Sequence, residues 1–138
     1  MEDYIHKVQY YETDRMGVTH HSNYIRWMEE ARVDFLDKVG WNYSKLEEMG
    51  IISPITEVEC KYINSTTFDD VITVRIYLEN FTGVKLKLNY EMTDSSGKTV
   101  CKGHSENCFL SKDKKIISLR NEYPNIYHDI VDKANKME

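Results

Sequence analysis

The chain has 138 residues, of which 41% are hydrophobic and 30% charged, with a formal net charge of −5. That length suits a single domain spanning residues 1–138, and the composition excludes an intrinsically disordered chain. The negative balance argues against non-specific nucleic-acid binding, which needs a positive field to neutralise phosphates, although a few local Lys or Arg residues can still hold a nucleotide.

The N-terminal Met1–His6 is acidic and lacks an apolar run, so no signal peptide is expected. Residues 4–11, rich in Tyr, Ile and Val, predict a first strand. A helix is expected from about Ser22 to Val39, with Ser22 as N-cap and Gly40 just past the end. Its stripe Tyr24, Met28, Ala31, Phe35 and Val39, widened by Trp27 and Leu36, predicts burial over much of its surface. Glu29, Glu30 and Arg32 fall on its polar side, where Glu29 and Arg32 read as a solvated i,i+3 pair. Residues 44–49 suggest a short second helix ended by Gly50.

Strict alternation then marks strands around Thr56–Tyr62, Ile72–Glu79 and Val84–Thr93, with a last strand from about Thr99 to Leu110. Asn80–Gly83 and Asp94–Gly97 read as hairpin turns. One helix and an antiparallel meander predict an α+β domain whose sheet wraps the helix. The tail after Arg120 is polar and mixed in charge, with room for a short terminal helix. Cys60, Cys101 and Cys108 lack C-x-x-C spacing and are odd in number, which predicts reduced, inert thiols in a cytoplasmic protein. No apolar segment approaches the roughly 18 residues needed to cross a bilayer.

The chemistry is concentrated in Tyr10-Tyr11-Glu12-Thr13-Asp14-Arg15-Met16-Gly17-Val18-Thr19-His20-His21-Ser22-Asn23-Tyr24. A carboxylate and two histidines there share a glycine-containing loop that opens a helix, beside backbone N–H groups able to stabilise an oxyanion. The stretch resembles the active-site segment of hotdog-fold acyl-CoA thioesterases of the 4-hydroxybenzoyl-CoA thioesterase-like branch. That branch reads Asp-x-x-Gly-(Val/Ile)-x-x-(His/Tyr)-x-Asn-Tyr, followed by Glu-x-Ala-Arg. Asp14, Gly17, Val18, His21, Asn23, Tyr24, Glu29 or Glu30, Ala31 and Arg32 fall into register.

The resemblance implies a hotdog fold with a five-stranded antiparallel sheet around a long central helix, and hydrolysis of acyl-CoA to a carboxylic acid and free CoA. It places Asp14 as general base or nucleophile and the oxyanion site at the helix N-terminus near His21. Gly17, Val18, His20 and Asn23 are expected to line or shape the site. Thr82, Gly83, Val84 and Lys85 resemble a segment that reaches the substrate from a neighbouring subunit, which implies a homodimer or homotetramer with the site between subunits. Gly83-Val84-Lys85 departs from the Ser or Thr often found there. The resemblance implies no organic cofactor, and no metal is expected, since His20 and His21 are adjacent and no further ligand follows at metal-binding spacing. Two other readings stay open: hydrolysis of acyl–acyl-carrier-protein thioesters, and a non-catalytic acyl-CoA-binding protein of the same fold. No G-x-S-x-G elbow, phosphate-binding loop or dinucleotide fingerprint is present.

Overall fold

A computed structural model describes residues 2–137. β1 (Tyr4–Lys7) leads through a 3₁₀ turn at Tyr10–Glu12 to the long helix α1 (Ser22–Val39) and the short α2 (Tyr43–Glu48). Four strands follow, β2 (Ile55–Tyr62), β3 (Val71–Phe81), β4 (Lys85–Thr93) and β5 (Thr99–Cys108), then α3 (Leu119–Glu122) and α4 (Pro124–Met137). The strands form one antiparallel sheet in the order β1-β3-β4-β5-β2, with α1 packed against β1, β2 and β3. This is the expected hotdog fold.

The alternation read from sequence decides which face meets the helix. Ile72, Val74, Ile76, Leu86, Leu88, Tyr90 and Met92 are buried with Trp27, Met28, Ala31 and Phe35 of α1. The intervening Lys85, Lys87, Asn89 and Glu91 lie on the opposite, solvated face. Helix and sheet approach so closely at Gly103 that a Cβ there would lie 2.9 Å from Met28 Sδ. α1 ends where Gly40 turns left-handed, φ 95°, and its N–H bonds back to Leu36 and Asp37.

Two expectations are corrected and a third, the terminal helix, is extended. The first strand stops at Lys7 rather than reaching residue 11, because the Glu12 carboxylate accepts the Gln9 N–H at 2.8 Å and winds the following residues into a 3₁₀ turn. The residue at the helix N-cap is His21, not Ser22, and no side chain caps it. The polar tail is a 14-residue amphipathic helix, α4, whose Ile126, Ile130 and Ala134 are buried where it packs on β3 and α1.

Candidate active site

The loop from Glu12 to Asn23 is held from both sides. Thr13 bridges to Thr19, and the Asp14 N–H bonds the Val18 carbonyl at 2.8 Å, closing a tight turn in which Gly17 takes φ 79°. No neighbouring atom crowds Gly17, so its backbone conformation is what calls for glycine there. The 63–70 connection braces the outside of the loop. Thr19 N–H donates to the Thr66 carbonyl, the Thr19 and Thr66 hydroxyls pair at 2.6 Å, and Thr67 Oγ1 donates to the Gly17 carbonyl. Asn23 Nδ2 donates to the carbonyls of Glu12 and His20 and so fastens the loop to the first turn of α1.

Underneath lies Glu12, only 4% exposed. Its carboxylate accepts the Gln9 N–H, Trp27 Nε1–H at 2.8 Å and a hydrogen bond with His6 Nε2 at 2.8 Å. Burial alone would raise its pKa, but these three partners outweigh burial and hold it below the usual carboxylate range.

Asp14 is half-buried on this platform. One of its oxygens, Oδ1, accepts the Met16 N–H at 2.8 Å in an Asx turn; among the described residues Oδ2 has no partner. Val18 is half-buried beside it. The His20 and His21 rings stack with centroids 4.3 Å apart, so these adjacent side chains project together rather than apart. His20 Nδ1 is tied to Ser22 Oγ at 2.8 Å. Tyr62 from the end of β2 packs edge-on against His21 and donates its hydroxyl to the His21 carbonyl at 3.2 Å. Burial, reinforced by Cys60, pushes the Tyr62 phenol up to about 12, which keeps it a neutral donor. Among the described residues nothing accepts the His21 N–H, so the helix offers an unused donor beside a carboxylate-bearing loop.

The Thr82–Lys85 turn lies elsewhere in the chain. Tyr62, beside His21, pairs with Cys101 of β5, whereas Lys85 pairs with Cys108, about 23 Å further along that strand. Thr82 Oγ1 accepts the N–H groups of Val84 and Lys85, Gly83 turns at φ 96° against Arg120 and Ser118, and Lys85 faces Glu106 at 3.5 Å. A single chain therefore does not bring the two predicted halves of the site together.

Arg32 is the clearest departure from expectation. It is not a solvated partner of Glu29: it is 7% exposed and its Nη1 donates to the Tyr90 hydroxyl at 3.0 Å. Arg32 Nε and Asn107 Oδ1 are buried without partners. The one group with metal-ligand spacing among the described residues is Glu57, His104 and Glu106, on the outer face of the sheet and unrelated to His20 and His21. Sequence reasoning passed over Glu12, Thr66 and Thr67. For Glu12 a signal existed, a Glu three residues after Gln9, the spacing of a capping box.

Comparison with known proteins gives the family and the fold. A family model described as thioesterase-like superfamily matches residues 8–133. A provisionally named esterase of Aquifex aeolicus is 35% identical over 126 residues, 91% of this chain and 97% of that one. A provisionally named acyl-CoA thioesterase of Bacillus subtilis, YneP, is 30% identical over 131 residues, 94% of each chain. The crystal structure of a DHNA-CoA thioesterase from Staphylococcus aureus superposes with a TM-score of 0.89 at 30% identity, covering 99% of this chain and 91% of that one.

Proposed function

The chain belongs to the thioesterase-like superfamily, and we propose that it is an acyl-CoA thioesterase of the 4-hydroxybenzoyl-CoA thioesterase-like branch, with residues 1–138 forming one hotdog domain. The observation that carries this reading is the unpaired His21 N–H at the start of α1, set on the same braced loop as the half-free carboxylate of Asp14. A thioester carbonyl seated on that N–H gains a donor where negative charge develops. Asp14, oriented through Oδ1, then uses Oδ2 either to take a proton from the attacking water or to attack the carbonyl itself. Thiolate is a good leaving group, so one carboxylate suffices, and the products are a carboxylic acid and free CoA. Gly17, Val18 and His20 shape the mouth of this loop, and Asn23 holds it in place.

The second half of the site comes from a second copy of the chain. β2 is an edge strand exposed along nearly its whole length, including Ile55, Val58 and Tyr62. Such an edge invites pairing. Antiparallel pairing of two β2 strands about a two-fold axis brings the Tyr62 end of one copy to the Ile55 end of the other. Thr82–Lys85 also lies at the Ile55 end, since Ile55 pairs with Asn107 and Leu86 with the same residue. The hairpin would thus approach the Asp14 loop of its neighbour. Acyl-CoA is preferred over acyl carrier protein because a chain of net charge −5 is a poor electrostatic match for an acidic partner.

The test is thiol release from a panel of short, long and aromatic acyl-CoAs, set against the same acyl groups on carrier protein. Turnover of CoA esters supports the reading. Turnover of carrier-protein esters alone, or binding without release, contradicts it.

A further inference from the structure

The Arg32 guanidinium is fixed in place and charged at every accessible pH, yet among the described residues it forms no ion pair. Its acceptor, the Tyr90 hydroxyl, is itself shared with Ser105 Oγ at 2.6 Å. A buried cation without a counter-charge is costly, so an anion that reaches it gains more than it would at the surface.

Arg32 does not lie in a sealed core. It lines a groove of about 520 Å³ between α1 and β2, a volume in the range of small-molecule sites. The walls are apolar, formed by Ile25, Ile52, Ile55 and Val58, while Arg32, Tyr43 and Ser53 supply polar groups. Ile25 sits one turn beyond His21, and Arg32 lies about 16 Å along the helix axis from His21. The groove thus begins near the proposed thioester position and contains a buried cation farther along. Glu29 and Glu47 also line it, but both are exposed, where solvent screens them, whereas Arg32 is shielded.

We infer that this groove holds the acyl chain of a substrate whose far end carries a carboxylate, with Arg32 as the counter-ion and Tyr43 beside it. The inference rests on the thioesterase reading and names the substrate class for it: ω-carboxyacyl thioesters rather than plain fatty or neutral acyl groups. The planar guanidinium fork suits a carboxylate, and the aliphatic walls suit the methylene chain between the two ends.

The experiment is calorimetric binding of two non-hydrolysable CoA thioethers of equal chain length, one ending in a carboxylate and the other in a methyl group. Short, medium and long pairs locate the best fit. The wild-type protein is expected to bind the carboxylate-ended member of the best pair on the order of ten- to a hundredfold more tightly. Arg32→Met should erase that ratio. Arg32→Lys, which keeps the charge but loses the fork, should leave an intermediate one and serves where the methionine variant does not fold. Equal binding, or tighter binding of the methyl-ended member by the wild type, overturns the carboxylate assignment while leaving thioester hydrolysis, read separately by thiol release, untouched. If neither thioether binds and no acyl-CoA releases thiol, the thioesterase reading falls and this inference falls with it.

Discussion

Two charged side chains are buried against the central helix, and they are treated in opposite ways. Glu12, under the N-terminal half of α1, has donors from Gln9, His6 and Trp27. Arg32, one face of the helix further on, has one neutral acceptor and an orphaned Nε. A saturated buried charge costs little to keep and rigidifies whatever it touches, here the platform under Asp14. An unsaturated one adds little to stability and stands ready for a ligand. The contrast separates scaffold from site more sharply than burial does, since both residues are more than nine-tenths buried.

The largest stability effect is expected at the saturated end. Glu12→Gln removes a charge that three groups converge on, and should cost about 3 kcal/mol in urea unfolding. Asn23→Ala releases the two carbonyls that tie the loop to α1 and should cost about 1–2 kcal/mol, with a larger proportional loss of thiol-release activity because the loop loosens. Arg32→Met breaks the symmetry of the comparison: with no ion pair to lose, its stability should change by less than about 1 kcal/mol in either direction. A loss as large as that of Glu12→Gln would show that Arg32 is scaffold after all.

The smallest effect is an acid limb. The Glu12 pKa is lower in the folded protein than in the unfolded chain, so the carboxylate contributes stability that is complete above its ordinary value of about 4.3. That contribution is lost as pH falls from there through the depressed folded value. Glu12→Gln should flatten the fall in unfolding free energy below pH about 4.3, measured by urea titration at a series of pH values.

The same contrast explains what was legible in the sequence. Period-two alternation in Ile72–Leu78 and Leu86–Met92 marks the core face because each strand has one side on α1 and one on water. The Asp14-to-Tyr24 motif is local, so its loop, its glycine and its helix could be read directly. Arg32 could not, because its burial comes from residues distant in sequence: Tyr90 on β4, Tyr43 on α2 and Ser53 just before β2. The reach of Glu12 to Trp27 is likewise tertiary. Of α4 only a short helix was legible, because its charged residues mask the helical spacing of Ile126, Ile130 and Ala134. Thr82–Lys85 has the spacing of a site segment but lies at the wrong end of its own sheet, a fact that only strand register reveals.

If Asp14 acts on substrate while Glu12 only supports it, thiol release by Asp14→Asn, measured beside its unfolding midpoint, separates the two roles. Asp14→Asn should fold to within about 0.5 kcal/mol of wild type while its turnover of the best acyl-CoA falls on the order of a thousandfold. Near-wild-type turnover by that folded variant would rule out a catalytic Asp14.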